Sequence, residues 1–271
     1  MPWLLPELRR SLILFLLLVG LLQLYYLSCL LFPILGIYYP YGFIAHMAFY
    51  AAEFITLFLY IKIVNKASFP DLGFKRLEKW RTYCALGFVL AIFHNAIGLA
   101  FSIFVLGVRH GFYLPLYVHI PVYFAAFLLI SVSEEGVFRG YILGGLLKRY
   151  GDSASIFFSS LLFGLYHLSY PYLLDWPFGT IMIINQVFLS FTAGLFLAYF
   201  YCKTGRNLLG PVSYHFSQCF FNVPSLWMGT ILVVQTQSSI SQFLFQWAPN
   251  LIHSFLNMIQ ILIIKNIRLN G

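Results

Sequence analysis

The feature that most constrains this chain is a series of apolar runs, each long enough to cross a bilayer, separated by short polar or charged breaks. A hydrocarbon core of ~30 Å needs about 20 apolar residues in helical form. In lipid, only helices and closed barrels satisfy every backbone N–H and C=O internally. Runs of this length select helices, because barrel strands are about half as long and alternate apolar with polar. They predict about eight helices, at 11–36, 41–63, 81–107, 115–149, 153–169, 179–202, 207–227 and 243–265. The polar segment Gln235–Gln242 divides the last two.

Composition agrees. Hydrophobic residues make up 61% of the chain and charged residues 9%, against roughly 25% charged in soluble domains. The expected fold class is all-α: one polytopic integral-membrane domain over 1–271, with no repeats or linkers. The net charge of +8 does not point to nucleic acid, since the basic residues are not gathered into one stripe. The four cysteines lie in or beside apolar segments with no CxxC spacing, which disfavours a disulfide framework or zinc knuckle. Arg9 and Arg10 precede an apolar run that continues through Leu31 with no small-residue cleavage site, so an uncleaved first helix is expected.

The placement of Lys and Arg tests the span count independently. With the N-terminus cytoplasmic, Arg109 alone falls on the far side and the other 15 of the 16 basic residues fall on the near side. Both termini are therefore expected to face the cytoplasm. Between the second and third helices, Leu72, Phe74, Leu77 and Trp80 alternate with Lys75, Arg76 and Lys79, the pattern of an amphipathic piece at the interface.

Against this apolar background, Ser131–Arg139 concentrates Glu134, Glu135 and Arg139 directly after a long apolar run. Ionisable groups at membrane depth are costly and mark functional sites. If the fourth and fifth helices form a hairpin with its tip at Tyr150-Gly151-Asp152, Glu134 and His167 each lie about 16 residues from it. Both are then roughly 24 Å along antiparallel helices, at one depth. The fourth helix is longer than one span requires, and a bend is expected near Gly140 or Gly144-Gly145. His215 enters from the same side on the seventh helix, after Pro211 in its first turn. Glu134, His167 and His215 thus converge from three helices. Glu135 and Arg139 are spaced i,i+4 for a pair along one face, and His215, Cys219 and Asn222 share another face.

Several chemistries suit this set. A carboxylate taken out of water holds a proton more readily and can act as general base on water. The second histidine and a polar neighbour can donate to an oxyanion. The same three side chains could instead bind zinc with one open position, or carry protons in a membrane carrier. Glu53 in the second helix and His94 and Asn95 in the third read as a structural polar contact between those helices or as a secondary part of the cavity, the structural reading being favoured. His46, His119 and His253 have no carboxylate neighbours in sequence and read as core or interface residues.

The motifs Glu134-Glu135-Gly-Val-Phe-Arg139, Phe163-Gly-Leu-Tyr-His167 and His215 with its following turn resemble the CAAX prenyl protease and bacteriocin-processing family of intramembrane proteases. That family's pattern is EExxxR, FxxxH and HxxxN on three membrane helices, and the resemblance covers roughly residues 130–222. It implies hydrolysis of a peptide bond in a membrane-associated peptide or protein, prenylated tails included, by a glutamate-activated water. Glu134 would be the base, His167 its assistant and His215 an oxyanion stabiliser, with Glu135 and Arg139 structural or substrate-orienting and no cofactor. A zinc-dependent protease using Glu134, His167 and His215 is the nearest alternative, followed by a catalytically impaired scaffold or a proton-coupled carrier. One position departs from the pattern: Cys219 stands where the family has asparagine. A thiol is a weak donor, so the oxyanion role weakens or passes to Asn222, one turn deeper. The compact length suggests a bacterial plasma membrane.

Overall fold

The computed structural model describes residues 6–31, 41–75, 78–105, 111–112, 119–169, 179–222, 228–229 and 239–267. The helices are α1 (Pro6–Leu31), α2 (Tyr41–Val64), α3 (Trp80–Phe104), α4 (His119–Glu135), α5 (Asp152–Tyr166), α6 (Gly179–Lys203), α7 (Leu209–Asn222) and α8 (Ser239–Asn266). Each falls on one of the apolar runs. Five described helical stretches are long and apolar enough to cross a membrane, whereas α5 and α7, at 15 and 14 residues, are shorter. The last helix begins at Ser239, inside the segment expected to be a polar divider. The expected starts and ends at 36, 107, 115 and 227 lie outside the described residues. A two-residue antiparallel pairing, Gly111 with Gly229 and Phe112 with Met228, is the one sheet element described.

The molecule is apolar outside and polar within. Leu16, Leu24, Ile63, Val89 and Phe104 face outward, while Glu53, Glu134, Glu135, Arg139 and His94 are buried. Lipid can solvate the first set and not the second. The basic ends of the helices gather on one side, as the charge count requires. Arg10, Lys75, Lys148 and Arg206 line one cavity of about 250 Å³, and Arg149 pairs with Glu7 at 3.2 Å. On α8, Gln260 bonds the carbonyl of Leu90 (3.0 Å) and His253 meets His94. The Lys265 end of α8 therefore runs back toward the start of α3, on that same side.

The described part of the stretch between α2 and α3 docks against the helix ends, with Leu72 buried and Lys75 exposed. Phe69–Leu72 forms a 3-10 turn with Leu72 buried. Gly73 has φ +106°, and a Cβ there would lie 2.7 Å from the Arg206 carbonyl oxygen. Only glycine suits both conditions. The Gly73 carbonyl accepts from Leu208 N–H (3.0 Å), and Asn207 Nδ2 donates to the Lys75 carbonyl (2.7 Å). Arg76 and Leu77 lie outside the described residues.

Two packing features position the site. Where α4 was expected to bend, it passes into π geometry over Gly136–Leu143 and then resumes an α-turn at Gly144–Leu146. Wider turns of this kind shift the side-chain register locally, and all eight residues of the π segment are buried. Helices α3 and α7 cross closely: a Cβ on Gly87 would fall 2.4 Å from the Gly210 carbonyl oxygen. Ser213 Oγ donates to the Cys84 carbonyl across the same crossing (2.8 Å). Small residues and short polar bonds are what hold membrane helices together.

Candidate active site

Glu134 and Glu135 end the α-helical part of α4 and are 3% and 0% exposed, so each oxygen needs a partner from protein. Successive residues on a helix point about 100° apart, and the two carboxylates accordingly turn to different neighbours. Glu135 Oε1 accepts from Arg139 Nη1 at 3.0 Å and from His215 Nδ1 at 2.9 Å. Glu134 Oε1 accepts from the Tyr50 hydroxyl of α2 at 3.1 Å, and its Oε2 stands 3.8 Å from His215 Nε2. The two ring nitrogens of His215 thus face the two carboxylates.

Arg139 is fully buried yet well enclosed. Besides Glu135, its Nη2 donates to the Gly194 carbonyl of α6 at 3.4 Å. Its guanidinium lies 4.3 Å over the Phe163 ring, a cation–π contact. Phe163 in turn lies edge-on to His167, with centroids 4.8 Å apart. The Phe of the second motif therefore separates the arginine from the histidine.

His167 is set by the way α5 ends. Its backbone N–H turns to the Gly164 and Leu165 carbonyls as the chain tightens into a 3-10 turn over His167–Ser169. Terminal carbonyls of a helix lack intrahelical donors, and the His167 side chain supplies one: its Nδ1–H donates to the Phe163 carbonyl at 2.8 Å. That bond fixes the tautomer, leaving Nε2 as an acceptor. His215 sits two turns into α7, whose start is held by Asn207 Oδ1 accepting from Leu209 N–H (2.8 Å), with Pro211 in the first turn.

His167 and His215 line one cavity of about 300 Å³ together with Phe163, Gln218 and Cys219. Cys219 is within hydrogen-bonding reach of His215. Asn222 is the last residue of α7, and its side chain lies outside the described ones. Among the described residues, no group of three or more His, Cys, Asp and Glu side chains is arranged to hold a metal ion.

Of two residues around Glu134, Tyr50 was missed by the sequence reading and Glu53 was given other partners. Tyr50 and Glu53 stand i,i+3 on α2 and face α4 together. Glu53 is fully buried, within reach of Ser133, Tyr166 and Glu134. The expected contact of Glu53 with His94 and Asn95 does not form. His94 instead turns to α7 and α8, meeting Tyr214 and His253. The i,i+3 spacing of Tyr50 and Glu53 was visible, but it gives no partner without the packing of α2 on α4.

Comparison with known families gives one match. Residues 115–221 fit the family described as Rce1-like, type II CAAX prenyl endopeptidase Rce1-like. No curated protein matches the chain. The matched stretch holds Glu134, Glu135, Arg139, Phe163, His167, His215 and Cys219, and ends one residue before Asn222. In an integral membrane protein with eight main helices among the described residues, the stretch that carries all three motifs therefore matches the Rce1-like model of the type II CAAX prenyl endopeptidases.

Proposed function

We propose that this protein is an intramembrane endopeptidase in which Glu134 activates water against a peptide bond of a membrane-associated or lipid-modified substrate. The observation that carries the proposal is the placing of His215 Nε2 and Glu134 Oε2 3.8 Å apart beside a cavity shared with His167. A water seated beside both groups reaches each within ordinary hydrogen-bond length.

Glu134 takes one proton of that water, and the hydroxide forms the new C–O bond at the scissile carbonyl. The carbonyl electron pair moves onto oxygen, where His215, as imidazolium, would present Nε2–H to it. Collapse of the intermediate breaks the C–N bond, and the proton held by Glu134 passes to the leaving amine. His167 Nε2, the ring nitrogen opposite the one bonded to Phe163, orients the water by accepting its second hydrogen. Glu135 and Arg139 are positioning residues: they touch His215 and Phe163 rather than the reacting atoms. No metal is given a role, and turnover is expected to survive chelation. The bacterial plasma membrane is the proposed location.

The test is peptide cleavage by purified protein in proteoliposomes. Glu134→Gln and His167→Ala should each abolish turnover while the melting profile is retained, and turnover in either folded variant refutes the mechanism. Mass spectrometry of peptides trapped by Glu134→Gln, compared with wild type, identifies the substrate class.

A further inference from the structure

The cavity that holds His167 and His215 reaches a second pair of histidines, and neither belongs to the matched domain. His94 comes from α3 and His253 from α8. Their planes are inclined by only 8°, their centroids are 4.8 Å apart, and His94 Nε2 stands 2.6 Å from His253 Nδ1. The N···N distance and two ring radii account for the centroid gap, so the rings meet edge to edge in an N–H···N bond rather than face to face.

The direction of that bond follows from its neighbours. Gln260 Nε2 donates to the Leu90 carbonyl (3.0 Å), which turns Gln260 Oε1 toward Tyr214. The Tyr214 hydroxyl donates to that oxygen at 2.8 Å and accepts from His94 Nδ1–H at 2.9 Å. His94 in its neutral form then has a bare Nε2, which accepts from His253 Nδ1–H. The chain of donors runs one way, from His253 through His94 and Tyr214 to Gln260. It leaves one open basic position, His253 Nε2. A proton added there turns the pair into a single cation.

The surroundings suit an anion as its partner. The cavity lining contains no Lys, Arg, Asp or Glu among the described residues, and its neutral polar groups include Gln186, Ser190, Gln218 and Asn257. Leu189, Ala193 and Leu197 supply apolar wall. In such a place a lone charge is costly, and a hydrogen-bonded counter-ion offsets part of that cost. The His253 ring also has a built seat. Gly98, one turn beyond His94, lies under it, and a Cβ there would fall 2.5 Å from His253 Cε1.

We propose that the His94–His253 pair is a carboxylate subsite of the catalytic cavity, holding an anionic group of the peptide while the scissile bond lies at Glu134. The inference rests on the peptidase reading above. A cavity of about 300 Å³ is at the lower limit of small-molecule pockets, so it takes a short peptide end. Two sources share the chemistry: a C-terminal carboxylate and an acidic side chain.

The test is binding rather than cleavage, measured by fluorescence titration of detergent-solubilised Glu134→Gln protein. The probes are dansyl-labelled apolar tripeptides ending in a free carboxylate or a carboxamide, and a carboxamide carrying an internal glutamate. The free acid should bind about tenfold more tightly than the amide, the worth of one charge-assisted bond. Adding His253→Gln, or Gly98→Ala to displace the ring, should bring acid and amide within about twofold of each other with an unchanged melting profile. An equal gain for the internal glutamate assigns the subsite to acidic side chains; no gain assigns it to the chain end. Equal binding of acid and amide, absence of binding included, overturns the proposal, as does a preference that survives His253→Gln. Cleavage by Glu134→Gln would refute the peptidase mechanism and leave the binding result standing.

Discussion

His215 and Glu135 are joined at 2.9 Å across α7 and α4, and the same carboxylate oxygen holds Arg139 at 3.0 Å. One buried oxygen thus orients a proposed catalytic imidazole and neutralises a buried guanidinium. Removing one partner of such a pair leaves an uncompensated charge. Glu135→Ala and Arg139→Ala should each destabilise the protein by about 3–5 kcal/mol. Glu135→Gln with Arg139→Met should cost much less than the sum. Chemical denaturation of all three in one detergent checks this, and additive losses would contradict it.

Tyr50 donates to the Glu134 oxygen that faces away from His215. Its loss frees the carboxylate to rotate while removing only one hydroxyl. Tyr50→Phe should lower kcat about tenfold, the effect of a hydrogen bond to a charged group, with little change in the unfolding midpoint. Peptide turnover at saturating substrate is the measurement. An unchanged kcat would show that Tyr50 does not orient the base.

Cys219 lines the catalytic cavity where the related pattern has asparagine. An amide there adds a donor stronger than a thiol. Cys219→Asn should raise kcat by about tenfold, short of the hundredfold or more that a complete oxyanion donor provides. Cys219→Ser should give a smaller gain. Progress curves under matched conditions decide it, and a loss of activity in Cys219→Asn would mean that the thiol itself is needed.

Asp71 is an acidic side chain in the stretch between α2 and α3, outside the spans. Bonds from Ser68 Oγ (2.7 Å) and Ser68 N–H (2.8 Å) hold its carboxyl below the ordinary value. A carboxyl lowered in the folded state stabilises fully above the unfolded pKa of about 3.9, and that contribution disappears as the pH falls through the folded value. Asp71→Asn should therefore weaken protection of the 68–73 turn at pH 7 and make little difference at pH 2. Hydrogen exchange at the two pH values tests this, and equal effects at both would contradict it.

Much of the architecture was legible in the order of residues because lipid imposes a simple demand. Apolar runs of span length, and basic residues confined to one face, suffice to predict helices and their orientation. The expected depth match of Glu134 and His167 came from counting residues back to the turn at Gly151, and that of His215 from its distance into the seventh helix. The pairing of Glu135 with Arg139 followed from their i,i+4 spacing. The motifs carried the family, since a peptidase stretch is defined by side chains at fixed intervals.

Tertiary structure decided the partners. Glu53 and His94 both lie in the middle of apolar helices, and nothing in their spacing says that one faces Glu134 and the other His253. That outcome depends on which faces of α2, α3 and α8 pack together, set by close approaches such as Gly87 on Gly210 and Gly98 under His253. Sequence spacing set His215 with Glu134 and Glu135 with Arg139; the direct bond of His215 to Glu135 came from the packing of α7 on α4. Periodicity and charge are summed along the chain and can be read from it. A hydrogen bond is a distance between residues far apart in sequence, and only the packed structure supplies it.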